Sequence, residues 1–110
     1  MGNSVKSEAD QTASLMAESA TEAASFLKAV SHEGRLLILC YLRDGEKTVS
    51  ELEKMLSMRQ AAVSQQLSRL RQQGLISPRR DGKTIYYSIC DDKAQAIVSM
   101  MYDLFCKPED

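Results

Sequence analysis

The chain has 110 residues, with a single histidine, His32, and only three cysteines, Cys40, Cys90 and Cys106. Each scarcity removes a class of chemistry. One histidine allows no nucleophile–base pair for acyl transfer, and no glycine-rich loop is present to cradle phosphates, so an enzyme is not expected. An odd number of widely spaced cysteines is not a disulfide framework. Without a C-x-x-C pair there is no zinc ribbon either, and neither a metal site nor a cofactor is expected. The thiols are packing residues or reactive ones. No apolar run approaches the ~20 residues that span a bilayer. The opening MGNSVKSEADQT is polar and lacks the apolar stretch of a secretory signal. These absences predict a cytoplasmic protein with no membrane partner.

What is present suits one small globular domain. Apolar residues make up 44% of the chain and charged residues 26%, enough apolar surface for a single core. The net charge of −1 conceals an asymmetry. Between positions 59 and 83, six basic residues (Arg59, Arg69, Arg71, Arg79, Arg80 and Lys83) face one acid, Asp81. A basic segment on an otherwise acidic chain is the electrostatic footprint of localised nucleic-acid binding. A solvated basic face would look the same by charge alone.

Residues 1–11 read as a flexible arm, followed by one domain over 12–107. The first helix spans about 12–30, with Met16, Ala20, Ala23, Leu27 and Val30 at helical spacing. Ser31 is the expected N-cap of a second helix, SHEGRLLILCYLRDG, which Gly45 ends. A third, TVSELEKMLS, places Val49, Leu52, Met55 and Leu56 on one face. The fourth, RQAAVSQQLSRLRQQG, turns Ala62, Val63, Leu67 and Leu70 inward and closes at Gly74. The period then changes. Ile85, Tyr87 and Ile89 alternate with Thr84, Tyr86 and Ser88 after the turn signal Asp81-Gly82, so LISPRRDGKTIYYSIC reads as a β-hairpin. A last helix presents Ile97, Met100, Met101, Leu104 and Phe105. Four helices, a hairpin and a helix make a mainly α chain with the pattern of a winged helix-turn-helix.

A recognition helix needs short polar side chains that reach base edges in the major groove. With Val63, Leu67 and Leu70 inward, Gln60, Ala61, Ser64, Gln65 and Ser68 face out. Gln bonds adenine bidentately, Ser adapts to several bases, and the Ala methyl meets a thymine methyl. Arg59, Arg69 and Arg71 suit phosphates, and Arg79, Arg80 and Lys83 lie on the hairpin that would form the wing. Double-stranded DNA is therefore the expected partner.

The stretches VSHEGRLLILCYL, TVSELEKMLSMRQAAVSQQLSRLRQQGLI and RRDGKTIYYSI together resemble the ArsR-type winged-helix repressors of bacteria, over about residues 14–106. The resemblance implies a homodimer through the first and last helices and a near-palindromic operator. One departure is Arg59, which stands where many relatives place a Ser that caps the recognition helix. Metal sensing, common among such repressors, lacks its ligands here. VSELEKML has no Cys-x-Cys pair, and one histidine does not make the last-helix site.

The cysteines are the remaining candidates for a sensor. A lone thiol in an apolar helix is ordinarily a small hydrophobe. Cys40 and Cys106 also sit near helix C-termini, where the dipole opposes a thiolate, with Arg43 and Lys107 as partial offsets. The residues alone leave both readings open. The resemblance narrows them: a sulfide-responsive, persulfide-sensing subgroup carries one Cys in the "ILC" of the second helix and another in the "LFC" of the last. Cys40 and Cys106 match both. In that subgroup, persulfides or polysulfides link the two thiols through a disulfide or polysulfide bridge and DNA is released, so control of sulfide-responsive genes is implied. Two other expectations stand beside this one. Cys90 joins the other two in an arsenite- or metal-responsive site, or the chain binds DNA constitutively with Cys40 simply packed.

Overall fold

In the computed structural model, which describes residues 7–106 and 108, the chain runs through α1 (Glu8–Val30), α2 (Glu33–Leu42), β1 (Lys47–Thr48), α3 (Val49–Leu56), α4 (Gln60–Gln72), β2 (Ile76–Asp81), β3 (Thr84–Ile89) and α5 (Asp92–Met101). A wider, π-type segment, Tyr102–Cys106, continues α5. The fold is a winged helix-turn-helix. The core gathers Ile38, Leu39 and Leu42 of α2, Leu52 of α3, and Val63, Leu67 and Leu70 of α4. Leu75, Ile76, Ala94, Val98 and Val30 close around them.

Local chemistry sets most boundaries. Thr48 and Glu51 form a reciprocal capping box at the start of α3, each side chain bonding the other's backbone N–H at 3.1 and 3.0 Å, which satisfies two orphan donors at once. Gly74, at φ +76, ends α4 in a left-handed turn. Its N–H bonds Arg71 O and the next N–H, of Leu75, bonds Leu70 O, with Leu70 and Leu75 both buried beneath. Gly82, at φ +62, takes the first central position of the hairpin turn, where a side chain is disfavoured. Pro78 is tolerated because β2 is an edge: the strand order is β1-β3-β2.

Several expectations are revised. The hairpin gains a third strand, since Lys47 and Thr48 pair with Tyr87 and Tyr86; two residues are too few to show an alternating pattern. Of the arm expected over 1–11, positions 1–6 lie outside the described residues, as does Lys107. Helix α1 begins at Glu8 because the Ser7 hydroxyl accepts from Asp10 N at 3.1 Å. The N-cap of α2 is His32, not Ser31: its Nδ1 accepts from Gly34 N at 3.0 Å, while Ser31 caps the other end of α1. A β-carbon on Gly34 would sit 3.1 Å from that ring, so the imidazole cap and the glycine go together. Helix α2 ends at Leu42, capped by Arg43, three residues ahead of the expected Gly45. Met55 turns outward on α3, because Leu52 and Leu56 define the inner face.

The first and last helices differ from the rest. Along the 23 residues of α1 only Val30 is buried, and Leu15, Met16 and Leu27 are exposed. In α5 the side chains facing the core are Ala94 and Val98, whereas Met100, Leu104 and Phe105 point to solvent. Glu22 pairs with Lys93 at 2.6 Å, tying α1 to α5 beside a cleft lined by Phe26, Leu27, Leu75 and Ile97.

Candidate nucleic-acid interface and dithiol site

Burial of Val63, Leu67 and Leu70 fixes the rotation of α4, and it leaves Gln60, Ala61, Ser64, Gln65 and Ser68 exposed along the opposite face. Arg59 is the N-cap residue and makes no side-chain cap bond, so the first N–H groups of α4 have no side-chain acceptor from it. Arg69 and Arg71 occupy the last turn, where their charge suits the helix dipole. Gln66 departs from the outer face. It accepts from Arg35 Nη1 at 3.1 Å, and Arg35 also donates to Ala29 O, which ties α4 to α2 and the end of α1.

The basic residues of the wing divide. Arg71 and Arg80 line one small cleft between α4 and the wing, together with Pro78, Ile85 and Tyr87, and neither forms an ion pair among the described residues. Lys83 is exposed at the turn. Arg79 is engaged instead. Its Nε and Nη2 donate to Glu46 Oε2 and Oε1 at 3.0 and 2.6 Å, and its guanidinium lies 4.6 Å from the Tyr86 ring centroid. That bidentate bond holds the Glu46 carboxyl below the usual carboxylate range. Glu46, in the connection between α2 and β1, carries no local sequence signal. Only the pairing of β1 with β3 brings it to the wing.

All three cysteines are free. Cys40, half-buried on α2, packs against the core, whereas Cys106 is exposed at the end of the π-type segment. Burial, and next the charge of Cys106, push the Cys40 thiol upward, and Arg43 pulls it back. Arg43 at the end of α2 meets Tyr102 and its carbonyl accepts from Gln95 of α5, so Cys40 and Cys106, 66 positions apart in sequence, lie on elements that dock against each other. Cys90 does not join them. It is exposed just past β3, with its Sγ 3.5 Å from Gly74 O, and no three His, Cys, Asp or Glu side chains cluster as metal ligands among the described residues. The three-cysteine arrangement is therefore not assembled. Sequence reasoning missed the π-type segment, and it named Arg43 beside Cys40 without its contact to Tyr102, whose ring centroid lies 3.8 Å from the guanidinium.

Comparison with known proteins agrees with this architecture. The family model described as "Bacterial regulatory protein, arsR family" matches residues 32–77, the stretch from the α2 cap into β2. The biofilm growth-associated repressor of Agrobacterium fabrum is 43% identical over 95 residues, covering 86% of this chain and 81% of that protein. The structure of reduced HlyU from Vibrio cholerae superposes with a TM-score of 0.81 at 36% identity, covering 84% of this chain and 97% of that one. The transcriptional repressor BigR from Xylella fastidiosa gives a TM-score of 0.78 at 40% identity, covering 84% and 95%.

Proposed function

The chain belongs to the arsR family of bacterial regulatory proteins, and from that premise we propose a homodimeric transcriptional repressor whose hold on DNA is released when Cys40 and Cys106 are bridged by reactive sulfur. The observation that carries the proposal is the docking of the end of α2 on α5 and its continuation, through Arg43 with Tyr102 and Gln95, since each of the two elements carries a free thiol.

The DNA-binding part follows from the exposed face of α4. Gln60, Ala61, Ser64, Gln65 and Ser68 read base edges in the major groove, while Arg59, Arg69, Arg71, Arg80 and Lys83 contact phosphates and fix register. Arg79 contributes to the backbone only where phosphate displaces Glu46. The exposed apolar residues of α1 and α5 form the dimer contact, since a patch with Leu104 70% and Phe105 80% exposed is costly to leave in water. A two-fold dimer presents two α4 helices to a near-palindromic operator.

The sensing step balances without an outside oxidant. The exposed Cys106 meets the donor first. Its thiolate attacks the outer, sulfane sulfur of a low-molecular-weight persulfide, the donor's S–S bond breaks, and the donor leaves as a thiol. Cys106 then carries a persulfide. Cys40, as thiolate, attacks the Sγ of Cys106, the bond from that Sγ to the outer sulfur breaks, and hydrosulfide departs with the electron pair. The two cysteines are oxidised and the sulfane sulfur is reduced to sulfide. If both thiols are first persulfidated, the same exchange leaves a longer bridge, which spans a gap too wide for a disulfide. The bridge locks α2 to the end of α5 and so biases the spacing of the two α4 helices. In one related protein the oxidation state is named, a structure of HlyU being that of the reduced form.

The test is anaerobic treatment of reduced dimer with glutathione persulfide, with oxidised glutathione and with arsenite, followed by intact mass and operator affinity. The expected result is a bridged subunit and lost operator binding with the persulfide, and no response in Cys40→Ser or Cys106→Ser. A persulfide response that survives either substitution overturns the dithiol reading, and unchanged DNA binding under all three reagents favours a constitutive regulator.

A further inference from the structure

Arg43 stands between the elements that carry the two thiols. It caps the C-terminal end of α2, three residues after Cys40, and its guanidinium carbon lies 3.8 Å from the centroid of Tyr102. Tyr102 opens the π-type segment that ends at Cys106. A planar cation on an aromatic face is a contact that Arg makes and the compact ammonium of Lys reproduces poorly. The same corner is tied a second time, because Gln95 Nε2 of α5 donates to the Arg43 carbonyl at 3.1 Å.

The guanidinium is also incompletely satisfied. Nη2 pairs with Asp44 at 3.0 Å, out toward solvent, but Nε is fully buried and has no acceptor among the described residues. A buried donor on a charged group is costly to leave unpaired, so it marks a position suited to an acceptor. Bridge closure supplies one. Cys40 must ionise in a half-buried place, and burial first, with the neighbouring Cys106 second, opposes that ionisation. The polar groups around this corner are Arg43, Asp44, Tyr102, Gln95 and the two thiols. Arg43 is the cation among them.

We infer that Arg43 is the positioning residue of the dithiol site: its stack on Tyr102 holds the segment bearing Cys106 against the end of α2, and its buried Nε–H receives the Cys40 thiolate as that sulfur attacks. The inference rests on the persulfide reading. Two substitutions separate its parts, both in a Cys90→Ser background whose folding is first checked by thermal melting. Arg43→Met keeps the apolar stem and removes charge, N–H and stack. Arg43→Lys keeps the charge and loses the planar stack.

Two rates are measured: bridge closure with glutathione persulfide, by quenched intact mass, and alkylation of Cys40 against pH with Cys106→Ser added. In Arg43→Met, closure is expected to slow about ten-fold or more, and the alkylation midpoint to move to higher pH, as loss of a charge-assisted donor requires. In Arg43→Lys, the midpoint stays near wild type while closure still slows several-fold. Wild-type bridging matched by Arg43→Met overturns this inference alone, and full rescue of closure by Arg43→Lys removes the stack from it. A wild-type chain that takes no bridge overturns the persulfide reading and this inference together.

Discussion

Residues 33–89 bury leucine, isoleucine or valine from α2, α3, α4 and β2 in one core, whereas α1 buries only Val30 and the tail of α5 leaves Met100, Leu104 and Phe105 in solvent. The winged-helix half is complete within one chain. The other half leaves an apolar surface in solvent, which we propose a second copy covers. The two thiols lie on opposite sides of this division, with Cys40 in the finished half and Cys106 on the unfinished one. On the proposed reading, a bridge between them ties the buried half to the exposed apolar one.

The comparison breaks most clearly by truncation on each side. Leu67→Ala opens a cavity in the core and is expected to cost about 2–5 kcal/mol of unfolding free energy. Leu104→Ala is expected to leave the subunit's own fold nearly unchanged and to weaken dimerisation instead. Denaturant melts at several protein concentrations check both, since only the second change should act through concentration. Equal, concentration-independent losses at the two sites would erase the distinction.

Within the winged-helix half, a second contrast sets Arg80 against Arg79. Arg80→Ala should weaken binding to all DNA sequences alike and lower the salt dependence by about 0.9 per subunit in log–log slope. Arg79→Ala should change that slope less, because Glu46 already holds the guanidinium. Glu46→Gln should release it and steepen the slope. Titration of operator and random duplex across salt concentrations tests the order.

The smallest expected effect concerns the α3 cap. The backbone N–H of Thr48 holds the Glu51 carboxyl below the usual range. Its folded value is depressed, so the stabilisation is full above the unfolded value of about 4.3 and is lost as pH falls through the folded one. Glu51→Gln retains a capping side chain without the charge, so it should be slightly less stable than wild type near neutrality and converge with it under acid. Parallel thermal-melt curves for the two proteins from neutral to acid pH would exclude this account.

The helices of the winged half were legible because burial and periodicity coincide there: Val63, Leu67 and Leu70 are apolar in the pattern and buried in the fold. The same pattern marked α1 correctly as a helix, but there Met16 and Leu27 have no core of their own chain beneath them. Periodicity reports an apolar stripe and is blind to what covers it. Capping was read one residue early at Ser31, since an imidazole acceptor competes well with a hydroxyl when a glycine leaves room for its ring.

By itself, the sequence determined the order of the five helices and the hairpin, the outward polar face of α4, the basic stretch over 59–83 and the absence of the usual metal ligands, because each is written in local spacing or composition. The tertiary structure alone decided which charges are free and which thiol-bearing elements dock together. Glu46 reaches Arg79 across 33 positions and Arg43 reaches Tyr102 across 59. Cys40 feels Cys106 while Cys90 turns away to Gly74. These are long-range contacts set by how α2, β3 and α5 dock on one core, and no window along the chain contains both partners.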